Sequence, residues 1–299
     1  MIRNILTQSP KDAWEAIRNY IVSNNNDKDI SRLENILAGS AWDLWNTFAE
    51  HNPSAIENII GFYETQSIGA AALILDALSL RELPLLIDGA NKRRLNIMQS
   101  GIYATVLPAE TTVFANALGF SLRSDLERGK TSKLLPDVYT FSSGLPFADC
   151  EISPQVKILY WHQFPDSILH NARTPETFKR DVKQKLTSDD FWQFVDRLLT
   201  GRKLLITSDH GYAITNDFVE INDSTQHDEM KQIYGQKRFE KLNANTELVP
   251  STPPLELALN NYRFALGRRK WRASGGYPAL QHGGLSLMEC FTPFVILTK

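Results

Sequence analysis

Residues 203–212, Lys-Leu-Leu-Ile-Thr-Ser-Asp-His-Gly-Tyr, form an apolar run that stops abruptly on an acid, an imidazole and a glycine. Leu204, Leu205 and Ile206 are continuous and Gly211 breaks the pattern, so 203–208 reads as a short buried strand. Such strands belong to parallel sheets covered by helices, which points the chain toward an α/β architecture. Asp209 and His210 then stand at the strand's carboxyl end, where open parallel sheets bind ligands. Taken alone, the tripeptide fits a solvated turn as well as a pair of metal ligands.

The pattern recurs. Residues 68–76, Ile-Gly-Ala-Ala-Ala-Leu-Ile-Leu-Asp, read as a second buried strand ending on an acid, although a lone Asp there commonly caps a helix. Residues 101–107 make a further strand that runs into Pro108. Thr111 or Thr112 then begins a helix closing at Gly119, which places a hydroxyl at the positive end of a helix dipole, a position that caps a helix or binds phosphate. After a long connection over 121–152, residues 156–162 form another apolar strand. Beyond it Pro165 starts a helix on which Asp166 and His170, four apart, share a face. Residues 178–199 read as one amphipathic helix. Near the end His282 precedes two glycines, a short helix begins near Ser286, and a last apolar strand follows.

Outside these strands the signals are plainer. Residues 12–65 are helical in pattern, and Trp42 and Trp45 on one face read as packing. Residues 212–254 are a polar insertion. With 299 residues, 42% apolar and 22% charged, the composition is that of a globular protein able to bury a large core. A net charge of −2 gives no global attraction to nucleic acid or membrane, so such binding would need a local patch. The dense basic cluster is Arg268, Arg269, Lys270 and Arg272 around Trp271, and its arginines are the candidates for contacting a polyanionic substrate. Cys150 and Cys290 are too few for a disulfide framework or a thiolate zinc site, which suits a reducing compartment. The start lacks a signal-peptide apolar region and no apolar run is long enough to span a bilayer, so a cytoplasmic protein without a membrane partner is expected.

Asp76, Thr111, Asp166 with His170, Asp209 with His210, and His282 thus gather at strand ends and helix starts. Three Asp and three His, all oxygen and nitrogen donors, match a site for two divalent ions, zinc or manganese. In order and spacing, Leu-Asp-Ala-Leu (75–78), Leu-Pro-x-x-Thr (107–111), Asp-x-x-x-His (166–170), Ser-Asp-His-Gly (208–211) and His-Gly-Gly-Leu-Ser (282–286), followed by Glu289 and Pro293, resemble the alkaline phosphatase superfamily. Within it the chain resembles the PglZ domain family of bacterial phage-defence and signalling proteins, over about residues 66–299.

The resemblance implies a three-layer α/β/α sandwich with a mostly parallel sheet, here residues 66–299, preceded by a small helical lobe at 1–65. It implies that Asp76, Asp209 and His210 bind one metal with Thr111 as nucleophile, and that Asp166, His170 and His282 bind the other. The expected activity is hydrolysis of a phosphate ester, foremost a phosphodiester in a nucleotide or oligonucleotide. The alternatives are a phosphomonoesterase and a catalytically idle metal-binding scaffold among defence-complex proteins. Relatives often carry Arg directly after Asp-Ala-Leu. Here Ser79 stands there, a rival nucleophile, and the arginine comes at Arg81. The Cys/Ser-x-Pro-x-Arg signature of sulfatases is absent.

Overall fold

A computed structural model describes residues 8–24, 27–66, 69–129, 131–172, 174–243, 246–272 and 276–299. Its centre is a six-stranded sheet built from β1 (Gly69–Leu75), β2 (Asn96–Ala104), β3 (Tyr139–Ser143), β4 (Lys157–His162), β5 (Arg202–Thr207) and the C-terminal strand Phe291–Thr298. The spatial order is β2, C-terminal strand, β5, β1, β4, β3. β1 is parallel to both β4 and β5, with Leu75 opposite His162 and Ile74 opposite Thr207, and β3 is parallel to β4. The C-terminal strand runs against β5 and β2. This register sets the carboxyl ends of β5, β1 and β4 side by side, so the residues that follow them must converge.

Every residue of β1 is buried, because successive side chains point to opposite faces and both faces are covered. Ala71, Leu73 and Leu75 pack with Leu86, Phe178, Val182, Phe191, Trp192 and Val195 of the helices on one side. Ala70, Ala72 and Ile74 pack with Ala55, Ile59 and Phe62 of helix Ala55–Thr65 and with Phe114 and Leu118 on the other. The fold is therefore a three-layer α/β/α sandwich with a mostly parallel sheet. Two local expectations change. The 121–152 connection contains β3, and the helix expected over 178–199 is two helices, Pro175–Leu186 and Asp189–Leu198, with Ser188 capping the second through Phe191 N. Ile68, expected to start β1, lies outside the described residues.

The N-terminal segment is helical as expected, but its helices have no core to themselves. Helix Ala55–Thr65 belongs to one layer of the sandwich. Trp14, Ile17, Leu33, Leu37, Trp45 and Phe48 share a cluster with Leu266, Leu285, Leu287 and Phe291 from the other end of the chain. Among the described residues no helix is long and apolar enough to cross a membrane.

The basic cluster is where the sequence misleads most. Arg268 is 1% exposed and its Nε donates to Glu34, whose other oxygen accepts from Leu287 N. Trp271 is equally buried, donating through Nε1 to Gly235 O at 2.8 Å, and offers no platform for a base. Arg269 lies half-buried in a two-residue strand, and the exposed Arg272 gives its backbone N–H to His227 Nε2 at 2.7 Å. Arg268 is thus a structural ion pair, and the substrate role expected for it is corrected. Removing one partner of such a pair strands a buried charge. Arg268→Ala is accordingly expected to lower unfolding free energy by about 3–5 kcal/mol, measured by denaturant titration, with its midpoint falling in parallel.

Candidate active site

The carboxyl ends of β1 and β5 deliver Asp76 and Asp209 into adjacent positions, both fully buried. Immediately after Asp76 the chain enters the left-handed region at Ala77, φ 61°, a conformation that costs a non-glycine residue energy and tends to persist where the surroundings fix it. Here it is fixed by a buried carboxylate: Ala77 N donates to Asp209 Oδ1 at 3.0 Å. Ser208 Oγ reaches Leu75 O at 2.8 Å, and Thr105 Oγ1 donates to Asp209 O. The backbone N–H of Asp166 donates to Asp76 O at 2.9 Å, which draws the segment after β4 to the same place.

Gly211 follows His210 where only a glycine fits, since a Cβ there would stand 2.1 Å from Met288 O. Its N–H donates to Glu289 O at 3.0 Å, while Glu289 Oε1 accepts from Gly284 N at 3.0 Å and from Arg238 Nε at 2.9 Å. Glu289 therefore ties the Asp209–His210–Gly211 turn to the His282–Gly283–Gly284 turn. The motif reading contained this glutamate but could not show what it holds.

Thr111 is the first residue of helix Thr111–Ala117, preceded by Glu110, whose carboxylate caps Thr112 N at 3.0 Å. The two threonines left open by the sequence are thereby separated. Thr111 Oγ1 lies 2.9 Å from Asp209 Oδ2, 3.2 Å from Asp76 Oδ1 and 3.4 Å from His210 Nε2. Ser79, the rival, is fully buried and its Oγ accepts from Arg81 Nη1 at 3.0 Å.

Donor atoms converge in two overlapping sets, Asp76 with Asp209 and His210, and Asp166 with His210 and His282. His210 belongs to both. His170 is 3.4 Å from Asp166 Oδ1 and its ring centroid is 5.6 Å from that of His282, but it sits at the rim, 60% exposed, outside the tight second set. Beyond it opens a cleft of about 530 Å³ lined by Glu110, His170, Lys237, Phe239 and His282 among others. None of Arg268, Arg269 and Arg272 lines it.

The electrostatics of this cluster call for a cation. Burial raises the pKa of Asp76 well above the carboxylate range, and neighbouring Asp209 adds to the effect; burial likewise raises Asp166. Burial alone would lower His210, but Asp209, Asp76 and Asp166 together raise it. His282 is lowered well below the usual range by burial and by the two other imidazoles. With Nδ1–H donating to Gly211 O at 2.9 Å, His210 turns the lone pair of Nε2 toward Asp209 Oδ2 at 3.5 Å and Asp76 Oδ1 at 3.8 Å. Acceptor then faces acceptor, and the one Thr111 hydroxyl among them can donate to a single acceptor at a time, so a proton or a metal ion would satisfy the remainder. His282 Nδ1 lies 3.3 Å from Ala109 O, a backbone partner of the kind that orients imidazoles in metal sites. Asp166 Oδ1 is buried without a hydrogen-bond partner. Hard oxygen and imidazole donors in this arrangement fit divalent zinc or manganese.

Arg123, passed over in sequence as part of a connection, donates from Nη1 to Asp76 Oδ2. No feature of its sequence neighbourhood marks it. Arg81 is enclosed, with Nε on Asp27 at 2.7 Å and Nη1 on Tyr212 O at 2.7 Å, and does not reach the cluster.

No family model matches the chain, and no curated protein matches it by sequence. Among solved structures it is similar to phosphonoacetate hydrolase from Sinorhizobium meliloti 1021 in complex with phosphonoformate, at 13% identity and TM-score 0.39, covering 77% of this chain and 89% of that one. It is also similar to murine ectonucleotide pyrophosphatase/phosphodiesterase 5 in complex with AMP, at 12% identity and TM-score 0.43, covering 76% and 87%. The human ectonucleotide pyrophosphatase/phosphodiesterase 5 structure matches at 10% identity and TM-score 0.40, covering 77% and 87%. Likeness at this level leaves the chemistry to be argued from the site.

Proposed function

We propose that this chain is a metal-dependent phosphoester hydrolase of the alkaline phosphatase superfamily, of the PglZ type, with residues 66–299 carrying the chemistry. The observation that carries the reading is the Thr111 hydroxyl, placed at a helix start within hydrogen-bonding reach of Asp209 and Asp76 and 3.4 Å from His210 Nε2. Asp76, Asp209 and His210 would hold one ion, and Asp166, His282 and His210 or His170 the other. Bound dications would supply Lewis acidity to the phosphoryl and leaving oxygens. Thr111 Oγ attacks phosphorus as its proton passes toward Asp209 Oδ2 and the ester P–O bond breaks with its electron pair going to the leaving oxygen; water then attacks the phosphothreonine, the P–O bond to Thr111 breaks, and a proton restores the hydroxyl.

A phosphodiester is the favoured substrate, in a nucleotide or oligonucleotide, because the cleft beside His170 and His282 has room for a second ester group and presents Phe239 and Lys237 to it. Zinc is the favoured metal with manganese the alternative, and the setting is bacterial phage defence or signalling in the cytoplasm, with defence proteins as partners. The deciding assay is turnover of a chromogenic bis-ester and of the matching monoester, with and without chelator. Bis-ester hydrolysis lost to chelator and restored by zinc or manganese is expected. Hydrolysis of the monoester alone would make the protein a phosphomonoesterase, and no turnover of either by metal-loaded protein would leave it a scaffold.

A further inference from the structure

We infer that Arg238 is a positioning residue for the reaction: buried within the polar segment 212–254, it fixes one wall of the cleft against the turn that carries His282. The inference rests on the hydrolase reading of the site. Gln236, Lys237, Arg238 and Phe239, consecutive in the chain, line the cleft, and the run 278–282 lines it with them. One run comes from the polar segment and the other ends on a metal donor. Gln281 Nε2 donates to Gln236 O at 2.8 Å, which stitches the two together.

The side chain of Arg238 does more than fill space. It is fully buried, and its Nε donates to Glu289 Oε1 at 2.9 Å, Nη2 to Gly267 O at 2.6 Å and Nη1 to Arg269 O at 3.2 Å. A planar fork of five donors reaches these three acceptors at once, which a lysine ammonium cannot do. Glu289 Oε1 also accepts from Gly284 N at 3.0 Å, so two hydrogen bonds link the guanidinium to the backbone just beyond His282.

The two glycines after His282 carry the imprint of the same segment. A Cβ on Gly283 would lie 2.6 Å from Phe239 Cδ1, and one on Gly284 would lie 2.4 Å from Arg238 Nε. Residues 238 and 239 therefore press directly on the chain that follows a metal donor. Phe239 is half-buried: its ring packs against the cluster that holds Phe264 and Leu285, and it also borders the cleft. Any shift of the Arg238 fork thus reaches both the His282 turn and the surface that the ester group remaining on phosphorus would meet. Misplacement by about 1 Å away from the reacting atoms can cost roughly 100-fold in rate. Arg238 accordingly couples the second donor set to the choice of that ester group.

The test sets Arg238→Lys and Phe239→Ala beside the wild type, each below its unfolding midpoint. Metal affinity is read by chelator competition. KM and kcat are measured on two diesters that share a nitrophenyl leaving group, the other ester group being nitrophenyl or methyl. Arg238→Lys is expected to weaken binding of one of the two ions by roughly 10-fold. It should also reduce the preference for the bis-nitrophenyl ester by roughly 2- to 10-fold, mainly through KM. Phe239→Ala should reduce that preference as much while holding both ions. A lower unfolding midpoint in Arg238→Lys with either metal affinity or preference unchanged makes Arg238 a strut of the fold and overturns the inference. Phe239→Ala leaves the guanidinium and Glu289 in place, so an unchanged preference in it overturns the inference even where the Lys variant does not fold. A wild type that holds both ions and hydrolyses no ester overturns the hydrolase reading instead. In that case, as in a pure monoesterase, the metal affinity of Arg238→Lys alone decides whether Arg238 seats the His282 turn.

Discussion

Thr111→Ala is expected to lower phosphoester turnover by roughly 10³- to 10⁶-fold while metal content and unfolding midpoint stay close to those of the wild type. The substitution removes a hydroxyl whose neighbours are Asp209, Asp76 and His210, and it leaves the helix cap to Glu110, which does not depend on Thr111. Alanine is a good helix former, so the first turn loses nothing by propensity. Thr111→Ser retains the hydroxyl and should retain much of the activity. Thr112→Ala should be mild, because the Thr112 contact at the cap is made by its backbone N–H. Ser79→Ala should act on stability, since Ser79 Oγ serves Arg81 inside the protein. If Thr112→Ala were the inactive variant and Thr111→Ala the active one, the nucleophile would have been assigned to the wrong residue. Turnover and metal analysis of the four variants side by side decides it.

The parts of this protein legible in sequence are those where a single local signal suffices. β1 and the Leu204–Ile206 part of β5 are buried on both faces, so they appear as apolar runs, and the acids that follow them stand out. β3, Tyr-Thr-Phe-Ser-Ser, lies at the sheet edge with a half-polar composition, and becomes a strand only by pairing with β4. The two helices after Pro175 both satisfy the same apolar period, and the Ser188 cap between them is a signal one residue wide. Arg268 and Glu34 are 234 positions apart, so nothing local warns that the most basic stretch of the chain turns one of its charges inward. Spacing likewise named the donors but could not say that His210 faces both sets, nor that Arg123 returns to Asp76. Those facts depend on how separate strand ends meet.

Metal content should follow the sharing of His210. Asp209→Asn keeps the shape of the side chain but removes a charge from the set formed with Asp76 and His210. The Asp209 oxygens also receive Ala77 N and the Thr111 hydroxyl, so the same change disturbs the left-handed turn after Asp76 and the Thr111 hydroxyl together. The expected result is loss of divalent metal affinity by more than about 100-fold, beyond what losing a group that merely orients a ligand costs, and activity below detection. His282→Ala removes a donor from the other set alone, so it should leave one of two ions bound. Acid should release metal as well, and its sign follows from His210. Burial acts to lower its pKa, but the three carboxylates outweigh burial and raise it, so a proton competes for Nε2 at a higher pH than at an ordinary imidazole near about 6.5. As pH falls the competition strengthens, and occupancy should begin to drop above that value, whereas His282, held low by burial and its neighbours, stays ready to bind. Elemental analysis after dialysis across a pH series, on the wild type and both variants, measures this. An active wild type that carries no metal would remove the basis for assigning ligand roles to Asp76, Asp166, Asp209, His210 and His282. Equal metal content in the wild type and Asp209→Asn would show that Asp209 serves the backbone turn and the Thr111 hydroxyl instead.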